Sequence, residues 1–414
     1  MSADPPASPR RALDGIRVLD LSRVLAGPYC CQLLGDHGAD VIKIESPGGD
    51  DTRTFGPPYV ANGASAYYTG INRNKRNLCL DLSTPRGQSV LRELLAHTDV
   101  IVENFKPGTM ERWGLGFEEH LAPAFPRLVH CRITGYGVTG PLGGRPGYDA
   151  VLQAYSGLMS INGQPDGAPV RLGVPVVDLV TGLHAFGGIM LALHERASSG
   201  RGQLVDCALL DTALSLLHPH SASWLADGRV PRRTGSAHPT VAPYDSFTTA
   251  TGPIFIGAGN DRQFRDLVHV AGRPELADDV RFATNRDRVV NVGALTAELG
   301  AVFASWDRDE LADRLLRVGV PAAPVNDVAA ALSSAQAEHR EMVVRLGEYT
   351  GVGIPLKLSA TPGSVARPPA ALGEHTREVL RAFGHDDAEI ERLIDDGVAF
   401  AGDDPAITRA PRRG

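Results

Sequence analysis

Ile16-Arg-Val-Leu-Asp-Leu21, followed at once by Ser22-Arg-Val-Leu-Ala-Gly27-Pro28, decides the fold of this chain. The first run is short and β-rich, and the residues from Tyr29 to Asp36 carry a helical pattern. Further β-rich runs stand at Val41-Ile-Lys-Ile44, Val100-Ile-Val-Glu103 and Leu128-Val-His-Cys-Arg-Ile133. A second helical pattern covers Pro85 to His97, where Pro85 suits a first helical turn. Strands alternating with helices predict an α/β architecture: a Rossmann-like large domain with a parallel sheet between helices. Ligands in such sheets gather at the strand ends. The turn after the first strand also excludes a class. A dinucleotide site needs a Gly-x-Gly-x-x-Gly fingerprint there, and Ser22 to Pro28 has the wrong spacing. Neither a phosphate loop ending in Gly-Lys-Ser or Gly-Lys-Thr nor a Gly-x-Ser-x-Gly elbow occurs.

Working outward, 414 residues exceed what one hydrophobic core usually serves, so two domains are expected. A second region contains Tyr244-Asp-Ser-Phe247, Thr251-Gly252 and Ile254-Phe-Ile-Gly257, which read as a hairpin. Helical patterns follow at Gln263 to Ala271, Asn291 to Ala304 and Asp309 to Arg317, and Val320 to Asn326 reads as a terminating loop. The expected division is a disordered tail over 1–12, a large domain over 13–224 and a smaller α+β domain over 225–330. A linker and C-terminal return to the large domain then occupy 331–400, before a flexible tail over 401–414.

The balance of 41 Lys and Arg against 48 Asp and Glu, net −7, argues against a nucleic-acid partner but leaves room for a local basic patch. The start lacks the apolar core of a signal peptide, which predicts a cytoplasmic protein. The most apolar window, Val174 to Leu193, reads as too short and too interrupted for a membrane span. Five cysteines, Cys30, Cys31, Cys79, Cys131 and Cys207, are odd in number and lack metal-ligand spacing; they read as buried, inert thiols, with no metal site.

One charge stands out in that apolar window. Gly173-Val-Pro-Val-Val-Asp178-Leu-Val-Thr-Gly182 places Asp178 alone where a long hydrophobic helix should begin. The ordinary reading is an N-cap, since a carboxylate there satisfies orphan N–H groups. The alternative is a desolvated nucleophile or proton carrier.

The flanking stretches weigh against the ordinary reading. Arg145-Pro-Gly-Tyr-Asp149, Thr181-Gly-Leu-His-Ala-Phe-Gly-Gly188, Ser199-Gly-Arg-Gly-Gln203, Val205-Asp-Cys-Ala-Leu-Leu-Asp211 and Leu372-Gly-Glu-His-Thr-Arg-Glu-Val-Leu380 occur in this order. The series resembles the class III CoA-transferase family (CaiB/BaiF), from about Leu13 to Phe383. The resemblance implies that Asp178 is the essential carboxylate, that coenzyme A thioester is a co-substrate with no permanently bound cofactor, and that two chains form an interlocked homodimer. It also implies a CoA site at Ala26, Leu80, Asp81, Ser83, Asn104, Phe105, Lys106, Arg112, Arg145 and Tyr148. Ser46 stands where some transferases carry a basic residue, so one phosphate contact must come from elsewhere.

Segments such as Asp51 to Pro58, Arg233 to Pro239 and Ala242 to Phe247 look most like the branch moving CoA from succinyl-CoA to dicarboxylates, with the glutarate type nearest. A dicarboxylate's remote carboxylate calls for a cation, and bidentate arginine is the usual choice. The candidates are Arg53, Arg73, Arg171 and Arg233, with His238 beside them; Gly257 and Gly259 are candidate oxyanion donors in a loop over the site. An α-methylacyl-CoA racemase from the same superfamily is the competing reading. It needs a second acid/base group opposite the aspartate, a His in a Gly-His-Asp motif, where this chain has Gly147-Tyr148-Asp149. A phenol titrating near about 10 is a poor base at neutral pH. His184, two helical turns past Asp178, reads as a packing or capping residue rather than the missing base. A non-catalytic CoA-binding protein is the third reading.

Overall fold

The computed structural model describes residues 10–60 and 63–404. Of the two expected tails, residues 1–9 and 405–414 lie outside the described residues. Ala401 is buried, so the tail expected from residue 401 on starts from a residue inside the fold.

The described residues divide into two compact units. The larger comprises the chain up to Ser156, Gly173–Leu217, and everything from Gln336 on; the smaller comprises Gly157–Leu172 and His218–Ala335. The sequence reading drew its boundary between 224 and 225 and left 157–172 in the large domain.

In the larger unit β1 (Arg17–Asp20), β2 (Asp40–Glu45), β3 (Lys75–Leu80), β4 (Val100–Glu103), β5 (Val129–Thr134), β6 (Leu204–Ala208) and a two-residue edge strand, Ala399–Phe400, form one sheet. Its order, with β3 beside the edge strand, then β2, β1, β4, β5 and β6, is the doubly wound arrangement. All pairs are parallel except the edge strand on β3. Val18, Leu19, Val41, Ile42, Val100 and Ile101 are buried, as expected of strands covered on both faces. The strands read from sequence are present with ends shifted by one residue or so. β3 and β6 escaped that reading because polar residues, Lys75 to Asn77 in the one and Asp206 in the other, cut their apolar runs short.

The polar residues of β3 are matched inside the fold. The Lys75 ammonium donates to Asp20 Oδ2 at 2.8 Å, Pro28 O at 2.7 Å and Asn72 Oδ1 at 2.8 Å. Next to it the Lys43 ammonium donates to Ser22 O at 2.8 Å and pairs with Asp50 at 3.1 Å. Burial pushes the Asp20 carboxyl up, but Lys75 and Lys43 outweigh it and hold the group below the usual carboxylate range.

The Val176–Ser199 helix is 24 residues long, and by length and composition it is long and apolar enough to cross a membrane. This corrects the expectation of a short, interrupted segment. Its glycines do not break it, and two of them serve close packing: a Cβ on Gly182 would come within 2.7 Å of Ala26 O and 3.1 Å of the Tyr29 ring, and one on Gly188 within 2.6 Å of Val205. The helix thereby lies against the Ala26–Asp36 helix that follows β1.

The smaller unit is α+β. β7 (Tyr244–Thr249), β8 (Gly252–Gly257) and β9 (Ala322–Pro324) form an antiparallel sheet. β9 lies in the stretch read as a terminating loop. Its two prolines flank or end the strand at the sheet edge, where a missing N–H is tolerated. Helices Asp261–Val270, Val292–Phe303 and Arg308–Arg317 contribute Phe264, Leu295, Leu299, Phe303, Leu311 and Leu315 to its core.

Lys75→Met should lower the unfolding free energy by about 3 kcal/mol, because breaking one side of a buried pair strands the other charge. Urea unfolding followed by tryptophan fluorescence reads the loss, and a midpoint within error of the parent would contradict it.

Candidate active site

The loops that leave the carboxyl ends of β1, β4 and β5 surround a cavity of about 550 Å³, all within the larger unit. It lies where the strand order reverses between β1 and β4, the usual ligand crevice of doubly wound sheets. Asp178 lines it, together with Ala26, Asn104, Phe105, Lys106, Arg145 and Tyr148. The structure thus brings seven of the residues singled out from sequence to one place.

The β1 loop is held from two sides. Arg23 N donates to Asn104 Oδ1 at 2.9 Å, and Asn104 Nδ2 donates back to Arg23 O at 2.7 Å. Val24 N donates to Asp50 Oδ1 at 3.3 Å. Between these clamps Val24 adopts φ 69°, a left-handed conformation that is costly for a β-branched residue. The Arg145–Tyr148 turn is seated by glycine: a Cβ on Gly147 would meet Leu152 at 2.6 Å and the Gly135 Cα at 3.0 Å.

Asp178 is the third residue of the long helix, not its cap. The N-cap is Pro175, which has no side-chain acceptor. Capping falls to Asp149, whose Oδ2 accepts from Val177 N at 2.7 Å and Asp178 N at 3.1 Å, while Oδ1 accepts from Gln153 Nε2 at 2.6 Å. The Asp178 carboxylate is half-buried and, among the described residues, accepts no hydrogen bond. Burial, then the like charge of Asp149, push it up to about 7. Tyr67 faces the same charges. Burial, then Asp178 and Asp149, push its phenol up to about 12, so it stays a neutral O–H donor.

The other sequence candidates lie elsewhere. Leu80 is buried in β3 against Ala399, Asp81 Oδ1 accepts from Ser83 N and Oγ, and Arg112 donates to Thr109 Oγ1; none lines the cavity. Two proposed acceptor arginines are committed to internal pairs. Arg53 forks onto Glu45 at 2.9 and 2.8 Å, donates to Tyr68 and stacks 3.9 Å over its ring. Glu45, although burial pushes it up, is held at about 2 chiefly by Arg53. Arg73 forks onto Asp36 at 2.8 and 2.7 Å and donates to Val352 O.

In the smaller unit Arg233 donates to the carbonyls of Gln164, Ser160 and Gly167. Arg171 donates to Leu172 O, and the His238 ring accepts from Thr240 N. Gly259 N is bonded to Gln263 Oε1 at 2.9 Å, which removes it as an oxyanion donor; Gly257 leaves room for the Tyr244 ring. His184 Nδ1 bonds Thr212 Oγ1 at 3.1 Å, a packing role.

Sequence reasoning missed Arg23, Asp51, Tyr67 and Asp149. Only Asp149 left a signal, as the last residue of the Gly147-Tyr148-Asp149 motif. Four cysteines are buried, whereas Cys207 is half-exposed. Among the described residues Glu93, His385 and Glu389 could together approach a metal ion, but Arg86 already pairs with both glutamates and the group lies outside the cavity.

A family model described as CoA-transferase family III matches residues 13–376. The mouse succinyl-CoA:glutarate CoA-transferase is 42% identical over 94% of this chain and 90% of its own length. A succinate–glutarate CoA-transferase of Agrobacterium fabrum is 41% identical over 89% of this chain and 94% of its own. The crystal structure of a CaiB/BaiF family protein from Brucella suis matches with a TM-score of 0.83 and 41% identity, covering 90% of this chain and 100% of that one.

Asp178 carries a folded-state pKa near 7, above its ordinary 3.8. At pH 8 the group is ionised in both folded and unfolded chains, and the fold bears the cost of desolvating it. Well below pH 3.8 it is neutral in both, and the cost vanishes. Asp178→Asn should therefore melt higher than the parent at pH 8 and nearly level with it at about pH 3, as scanning calorimetry would show; a lower melting point at pH 8 would refute this account.

Proposed function

The chain belongs to CoA-transferase family III, and from that membership we propose that it moves CoA from succinyl-CoA to a dicarboxylate of the glutarate type, with Asp178 as the nucleophile. The observation that carries the reading is a carboxylate without a hydrogen bond in a cavity that also holds Arg23, Lys106 and Arg145. A thioester is an activated carbonyl, and a desolvated carboxylate held against it is a competent nucleophile. The three cations suit the phosphates of CoA and the free carboxylates of donor and acceptor. They also supply what Ser46 cannot, and Arg23 and Arg145 take the place of the committed Arg53 and Arg73.

The cycle balances without a metal or redox group. Asp178 attacks the succinyl thioester carbon, and the CoA thiolate leaves, giving a mixed anhydride. The thiolate returns to the Asp178 carbonyl and expels succinate, leaving an aspartyl-CoA thioester. The acceptor carboxylate attacks that thioester, again releasing thiolate and forming a second anhydride. Attack of the thiolate on the acceptor carbonyl gives the new acyl-CoA and restores Asp178. Each oxyanion formed on the way needs a donor, and the neutral Tyr67 phenol is the candidate.

The enzyme works in this reading as a cytosolic homodimer. Leu183 and Leu191 on the long helix, and Leu214 beyond β6, are exposed in the single chain. Singly exposed side chains of this kind are ordinary; the homodimer rests on the family membership, and a second copy of the chain is the occupant proposed to cover them.

Mixing the enzyme with succinyl-CoA and, separately, glutarate, itaconate, citramalate, malate, mesaconate, oxalate or formate should yield one new dicarboxyl-CoA by mass spectrometry. Asp178→Ala should lower that exchange by at least about 10³-fold, and an active Ala variant would sink the nucleophile assignment. No exchange with any acid, together with α-proton exchange on a 2-methylacyl-CoA, would favour the racemase reading instead. Because only the ionised carboxylate attacks, kcat/KM should rise with pH and level off above about 7.

A further inference from the structure

Every N–H at the start of the long helix is spent before Asp178 can use it. Pro175 has none. Val176 N donates to Val174 O at 2.9 Å, and Val177 N and Asp178 N donate to Asp149; the intrahelical ladder then begins with Leu179 N on Pro175 O at 3.1 Å. An aspartate in a first helical turn ordinarily gains from those donors and from the helix dipole, which lower its basicity. Here a second carboxylate has taken that place. Asp149 is buried, its other oxygen is fixed by Gln153, and it begins the helix immediately after the Arg145–Tyr148 turn that lines the cavity.

Resting on the reading of Asp178 as nucleophile, we infer that Asp149 is a positioning residue: by occupying the first-turn N–H groups it keeps the Asp178 carboxylate unbonded and aimed into the cavity. Asp149 does not line the cavity. Its two effects on Asp178 have one origin. The hydrogen bonds fix the backbone from which the nucleophile projects, and the negative charge beside it opposes ionisation, so the carboxylate that does form is the more basic. One motif, Gly147-Tyr148-Asp149, therefore serves the cavity wall with Tyr148 and the nucleophile with Asp149.

The experiment compares the parent, Asp149→Asn, Asp149→Glu and Asp178→Ala in CoA exchange from pH 5 to 9, with thermal unfolding of each. Asparagine can keep both helix N–H bonds on its one carbonyl oxygen, but it loses the charge and the acceptor that Gln153 Nε2 uses. It should move the acid limb of kcat/KM down by about one pH unit and lower kcat about tenfold or more at pH 8. Glutamate keeps the charge and displaces the carboxylate, so it should lower kcat while leaving the limb nearer the parent's; it also supplies the test should the asparagine variant not fold. An acid limb that stays in place in Asp149→Asn, with kcat falling only in step with thermal stability, would make Asp149 a plain helix cap and overturn the inference. That result beside an inactive Asp178→Ala leaves the nucleophile standing, whereas an active Asp178→Ala removes the nucleophile itself.

Discussion

Two ammonium groups buried under the β1 loop hold the cavity end of the larger unit together. Lys43 and Lys75 are almost wholly shielded from water, and each is matched by an equally shielded carboxylate, Asp50 and Asp20. Both also donate to main-chain carbonyls, at Ser22 and Pro28, so the same charges that must be neutralised pin the loop and the start of the following helix. Buried pairs of this kind gain little over well-packed apolar groups, but they demand one geometry. That geometry includes Val24 in a left-handed conformation, a local strain offset by the clamps from Asn104 and Asp50.

The loop fixed in this way faces the first turn of the long helix. Close approach at Gly182 lets that helix lie against Ala26 and Cys30, which brings Asp178 into the cavity bounded by the β1 and β4 loops. The electrostatics there are uneven by construction. Three cations sit among the lining residues, yet the Asp178 carboxylate pairs with none of them and feels mainly burial and Asp149. Arg23 keeps only a loose, exposed pair with Asp51 at 3.8 Å, so the cations can receive an anionic ligand, and a carboxylate left unpaired can attack one. A site in which the same arginines and Asp178 had neutralised each other would be more stable and less reactive.

Much of this was legible in the sequence. Continuous apolar strands such as Val100-Ile-Val announce themselves, because burial on both faces leaves no place for polar residues. The edge strand at Ala399 and the polar β3 did not, since their identity depends on partners far away: Ala399 on Leu80, Lys75 on Asp20, Arg76 on Asp40. Arginines were the least legible residues. Arg53 and Arg73 looked like ligand-binding cations, and nothing local marks Glu45 or Asp36 as the partners that claim them.

By itself the sequence determined the α/β class and the family, and it singled out Asp178 as the candidate nucleophile. These follow from local periodicity and from motifs whose meaning survives without coordinates. Only the tertiary structure decided which charges are spent and which are available. It gave the helix cap to Asp149 and freed Asp178, and it buried Arg53 and Arg73 while leaving Arg23 at the cavity. The physical reason is that a charged side chain's role is set by its nearest opposite charge and its access to water, and both are fixed by residues outside its local pattern, from eight positions away for Arg53 to 37 for Arg73.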